Sequence, residues 1–94
     1  MSSFIKQMAI NKLKQLSPDE LLYYAHQYNF FITKKQAQEM TAYLRQNRIE
    51  PFDASGRAKM FKELERITDK ATAQKAQQLL QEITKSYGLE NMFK

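Results

Sequence analysis

Histidine, cysteine and closely spaced acids build most catalytic and metal sites, and this sequence holds one histidine, His26, and no cysteine. A metal ion needs several nitrogen, sulfur or oxygen ligands, and His26 has neither a cysteine nor a second imidazole to join it. A solvated histidine is therefore the stronger reading. No nucleophile motif surrounds any serine, so the presence of Ser, His and Asp gives weak warrant for acyl transfer. Glu63 and Glu65 fall on opposite sides of a helix, and Gly56 and Gly88, the only glycines, cannot form a glycine-rich phosphate loop. The expectation is a protein that is not an enzyme, with no cofactor and no metal.

Binding chemistry is better represented. Tyr23 to Phe31, YYAHQYNFF, packs five of the eleven aromatic residues and the histidine into nine positions. Aromatic rings beside cations can stack on bases, yet most aromatic clusters are buried. With residues set about 100° apart around a helix, Leu21, Ala25 and Tyr28 share a face, Tyr24 flanks it, and Tyr23, His26 and Gln27 point away. Phe30, Phe31 and Ile32 then plug a short connector. This predicts that most of the cluster is core, with Tyr24 and Tyr28 buried and Tyr23, His26 and one of Phe30 or Phe31 exposed.

The elements that position these residues are marked by clear punctuation. Ser17-Pro18-Asp19-Glu20 combines a capping serine, proline at the first helical position and a glutamate three residues after the cap, and Leu16 with Leu21 has the spacing of a hydrophobic staple. A helix from Pro18 to about Tyr28 is predicted. Thr33-Lys34-Lys35-Gln36 repeats the box and starts a helix ending near Asn47. Asp53 caps another, to about Ile67, after the break made by Pro51. A further helix starts near Thr68 or Asp69 and stops at Gly88, with Leu89 folding back on Ile83. An opening helix, about residues 3–15, places Ile5, Ala9, Leu13 and Leu16 on one stripe widened by Phe4 and Met8, leaving Lys6, Lys12 and Lys14 in water. The predicted fold is all-α, a compact bundle of about five short helices.

Length and composition agree with that. Ninety-four residues suit a single domain spanning 1–94, with 89–94 a short C-terminal tail, and 43% hydrophobic with 27% charged residues is the balance of a soluble globular chain. The start, MSSFIKQMAINK, lacks a signal peptide's apolar stretch and cleavage site, which leads to the expectation of a cytoplasmic protein with no membrane association. The net charge of +5 is spread: residues 1–50 hold seven Lys/Arg and four Asp/Glu, residues 51–94 eight and six. Interspersed charge of this kind usually marks a solvated surface.

Two stretches rise above that background. Residues 18–48 place two helices around a short extended connector, a layout that resembles helix-extended-loop-helix modules such as the SAP and LEM families. On the second of these helices Ala37, Met40 and Leu44 face inward, turning Lys35, Gln38, Glu39, Ala42, Arg45 and Gln46 outward, with Lys34 and Arg48 at the edges. Lys34, Lys35, Arg45 and Arg48 can meet phosphates and Gln38 a base edge, although Glu39 among them would repel phosphate. In the last helix, Ala73, Ala76, Leu80, Ile83 and Tyr87 trace a narrow 3-4-3-4 seam that suits either core packing or a homodimer contact.

Ser17-Pro18-Asp19-Glu20-Leu21-Leu22, Tyr24-Ala25, Thr33 with Gln36-Ala37, Phe52-Asp53 with Ser55 and Arg57, and Thr72-Ala73 together resemble the YqfT-like family, short proteins of unknown function from spore-forming bacilli. The resemblance covers about residues 5–85 and implies a bacterial, cytoplasmic, all-helical protein, with no functional residue to carry across. The reading favoured is a non-catalytic module that binds an unidentified protein partner, with Tyr23, Met92 and Phe93 as candidate contacts. A nucleic-acid binder using residues 18–48 is the alternative.

Overall fold

A helix start leaves N–H groups without partners, and here the side chains that satisfy them lie where the sequence put them. The computed structural model describes residues 2–86 as helices α1 (Ser2–Gln15), α2 (Pro18–Gln27), α3 (Lys34–Gln46), α4 (Ala54–Ile67) and α5 (Lys70–Ser86). At α2 the Ser17 hydroxyl accepts from the Glu20 N–H at 3.1 Å while the Glu20 carboxylate accepts from the Ser17 N–H at 3.0 Å. Thr33 and Gln36 repeat this exchange at α3, at 3.0 and 2.8 Å. Asp53 caps α4 by accepting from the Gly56 N–H at 3.1 Å, and Asp69 caps α5 by accepting from the Thr72 N–H at 2.6 Å. No strand occurs among the described residues, and none of their helices is long and apolar enough to cross a membrane. The stop at Gly88 and the fold-back of Leu89 lie outside the described residues.

Gly56 is required by contact. A methyl group there would press on the Glu50 carbonyl oxygen and meet the Glu50 Cβ at 2.6 Å, so only glycine lets the first turn of α4 lie against the α3–α4 connection.

The bundle is organised around α3. Helix α2 packs on α3 and α4 on α5, while α1 and α4 each lean on α3. Ala37 and Thr41 on α3 are completely buried, and the Thr41 hydroxyl donates to the Ala37 carbonyl at 3.0 Å, so this buried polar group is satisfied within its own helix. Leu16, Ile49, Ile67 and Ala73 are the other buried positions among the described residues. Small side chains at the crossings draw the helices close, but they leave most large apolar residues only half covered.

Helix α1 departs from the stripe that its spacing predicts. Leu16 is buried and Leu13 half-buried, yet Phe4, Ile5 and Met8 are exposed, Phe4 at 69%. The helix docks through the side that carries Lys6, Ala9, Ile10 and Leu13, all half-buried, with Lys14 donating to the Asn47 carbonyl at 2.9 Å, and Phe4, Ile5 and Met8 lie on the side turned to solvent. All three lysines expected in water have partners: Lys14 at Asn47, Lys12 beside Glu20 at 3.8 Å, and Lys6 over the Phe52 ring at 5.7 Å.

Candidate functional site

The turn that ends α2 decides how the aromatic cluster is displayed. The Phe30 N–H donates to the Ala25 carbonyl at 2.8 Å and the Asn29 N–H to the His26 carbonyl at 3.2 Å, the paired bonds of a Schellman motif, with Asn29 left-handed at φ 63°. Lys75 of α5 fastens this corner. Its ammonium donates to the Asn29 carbonyl at 2.7 Å and lies 5.3 Å from the centre of the Phe30 ring. Phe30 is thereby drawn in and Phe31 turned out, 87% exposed.

The expectation that Tyr24 and Tyr28 are buried is corrected: they are 42% and 46% exposed. Helix α2 has ten residues and packs chiefly on α3, so it buries only a narrow strip, in which Leu21, Leu22 and Ala25 are half-covered. Tyr23 and His26 are exposed, as the helical geometry predicts. Tyr23 and Tyr24 meet edge to face with ring centres 5.6 Å apart, and Gln27 donates to the Tyr23 hydroxyl at 2.9 Å. The cluster is thus a surface of ordered rings rather than a core.

On α3, Lys34, Lys35, Gln38, Glu39 and Arg45 are exposed, as is Arg48 beyond its end. The basic face is partly neutralised. Lys34 stands 4.0 Å from Asp19 and Arg48 3.8 Å from Glu50, and the Glu39 charge acts on Arg66 of α4. Such exposed pairs add little stability, but they lower the potential that a phosphate would meet. Of the α5 seam, Ala73 is buried inside the chain and unavailable to a second copy, and Ala76 and Leu80 are half-buried. The Ile83 side chain, Tyr87, and the candidate contacts Met92 and Phe93 lie outside the described residues.

Sequence reasoning missed a groove. An open apolar cavity of about 210 Å³ runs between α1, α2, α3 and α4, lined by Leu13, Leu21, Met40, Leu44, Phe61 and Leu64 among others. Leu16 and Leu21, paired as a staple by their spacing, share its wall. The helical spacing of Met60 or Phe61, Leu64 and Ile67, four or three residues and then three, was the available signal. Nothing in the sequence pointed to Lys75, which reaches its partner from 46 residues away.

The titrating groups serve the helix ends. Glu20 is held below the usual carboxylate range first by the Ser17 N–H, Asp53 by the Ser55 hydroxyl and then the Gly56 N–H, and Asp69 by the Thr72 N–H. Arg66 bonds Glu63 on α4, which lowers the acid and raises the base. Among the described residues no three His, Cys, Asp or Glu side chains gather where they could hold a metal ion.

The profile of a family described as a protein of unknown function, DUF2624, matches residues 1–84. The chain is also 33% identical over 79 residues to the uncharacterised protein YqfT of Bacillus subtilis (strain 168), an alignment covering 84% of this chain and 94% of that protein. No solved structure matches. The matched span takes in α1 to α4, with the aromatic corner, the groove and the caps of α2 to α5, and on this evidence the chain belongs to the DUF2624 family of proteins of unknown function.

Proposed function

We propose that the protein acts without catalysis as a protein-interaction module whose partner-facing surface is the aromatic corner at the end of α2. One observation carries this reading: Tyr23, Tyr24, Tyr28 and Phe31 are all exposed in a continuous nine-residue stretch. Clustered exposed rings of this size are uncommon on a monomer's surface without a partner. The corner is preorganised, because the Schellman turn and Lys75 fix the backbone that carries the rings. Tyrosine supplies large contact area at low entropic cost, and each ring keeps a hydroxyl for a polar rim.

Nucleic acid is the competing partner class, and the ion pairs of Lys34 and Arg48 together with Glu39 weigh against it. The two readings separate by charge reversal. Lys35→Glu with Arg45→Glu should leave association with a protein partner intact, while Tyr23→Ser with Phe31→Ser should abolish it without unfolding the chain. Sub-micromolar binding to duplex or single-stranded nucleic acid, weakening steeply with salt and lost in the charge-reversed variant, would replace this reading with the other.

A further inference from the structure

The helices fall into two groups that meet along an incompletely packed seam. Helices α1 and α2 pack on α3, α5 packs on α4, and α4 leans on α3 across the seam. The apolar groove lies there, with Leu13, Leu21, Met40 and Leu44 on one wall and Phe61 and Leu64 on the other. Side chains bordering an unfilled recess forgo contacts across it, so this seam resists separation less than a close-packed one would.

The two ends of the seam are held differently. At the C-terminal end of α3 the backbone makes the joint: the Asp53 N–H donates to the Glu50 carbonyl at 3.2 Å, Arg57 donates to the Pro51 carbonyl at 3.3 Å, and Gly56 lies against Glu50 with no room for a methyl group. At the N-terminal end, about 20 Å away for a helix of thirteen residues, α5 reaches the aromatic corner through Lys75. Its ammonium donates to the Asn29 carbonyl at 2.7 Å and stands 5.3 Å from the centre of the Phe30 ring. Lys75 is exposed. An exposed lysine gives up side-chain freedom to hold such a position and does so in competition with water, so this end of the seam is readily released.

We infer that α4 and α5 form a flap on α1 to α3, hinged at Glu50 and Gly56 and latched by Lys75, and that releasing the latch both widens the groove and loosens the corner that carries Tyr28 and Phe31. With the latch closed, Lys75 draws Phe30 in and turns Phe31 out. With it open, the Asn29 carbonyl and the Phe30 ring lose their cation, and the turn is left to its own backbone bonds. Lys75 is a positioning residue: it governs how the rings are presented without touching a partner. That consequence for binding rests on the corner being the partner-facing surface, whereas the latch belongs to the free chain. The coupling is reciprocal, so whatever widens the groove loosens the corner, and whatever fixes the corner favours the closed seam.

Relaxation dispersion on the full chain tests the latch, since hinge motions of this kind fall in the microsecond-to-millisecond range. The Phe30 amide and the Leu44 and Leu64 methyl groups should fit one shared open population. Lys75→Met keeps the aliphatic length and removes the charge, and it should raise that population roughly fivefold, the effect of one lost hydrogen bond. Lys75→Arg should bring it back toward the original value. In the native cell, a crosslinking side chain at position 31 should give a lower yield of protein adducts with Lys75→Met than without it. Exchange confined to the corner with Leu44 and Leu64 silent, a population unmoved by Lys75→Met, or an arginine variant no different from the methionine one would overturn the inference. Equal adduct yields with and without Lys75→Met would overturn the link from latch to binding. Adducts absent from both count against the partner surface alone, because the dispersion measurement decides the latch.

Discussion

Asn29 carries more of the local geometry than its type suggests. A residue with a Cβ resists the left-handed conformation that Asn29 adopts at φ 63°, and asparagine tolerates it better than most. Asn29→Gly should stabilise the chain or leave it unchanged, and Asn29→Ala should cost about 1 kcal/mol, read from denaturant midpoints. Tyr28, two residues from Phe30 and 46% exposed, has an effect smaller than a core tyrosine would. Tyr28→Ala should cost about 1 kcal/mol, against the ~3–5 kcal/mol of removing a buried aromatic side chain. A loss in the larger range would mean that the ring is enclosed in solution. The sequence placed Tyr23 and His26 outside because helical angle alone decides them. It misplaced Tyr24 and Tyr28 because exposure there depends on how many helices surround α2, which no local spacing records.

At the scale of the elements, the helix starts were legible because each cap is a contact between residues three apart. Ser17, Thr33 and Asp53, each predicted as a cap, accept from the N–H three residues on. These caps also set a pH dependence. Glu20, with an ordinary value of 4.5, and Asp53 and Asp69, with 3.8, are all held lower in the folded chain. A depressed folded-state value means that the caps stabilise fully above these ordinary values and that the contribution fades as pH falls through the lowered ones. Thermal melts should thus show stability declining below pH 4.5 and further below 3.8. Glu20→Gln keeps the box geometry, as Gln36 shows at α3, and should flatten part of that decline. Ser17→Ala should cost about 1 kcal/mol at neutral pH, whereas no loss would place the start of α2 elsewhere.

At the scale of the whole molecule, the five helices of the described residues, α3 among them, enclose a core of few residues, half of them small, with many of the larger apolar groups left at the rim. The all-α fold followed from periodicity and caps. The groove and the corner did not, because both arise where separate helices meet: Leu13 with Phe61 and Leu64 in one, Lys75 with Asn29 in the other. The exposed apolar residues are what the account makes central, and the basic face of α3 is what it sets aside. Photo-crosslinking side chains placed singly at Tyr23, Phe31, Lys35 and Arg45, irradiated in the native cell, test that choice most directly. The account predicts discrete protein adducts from positions 23 and 31 and none from 35 and 45. Nuclease-sensitive adducts from positions 35 and 45, with positions 23 and 31 silent, would contradict it.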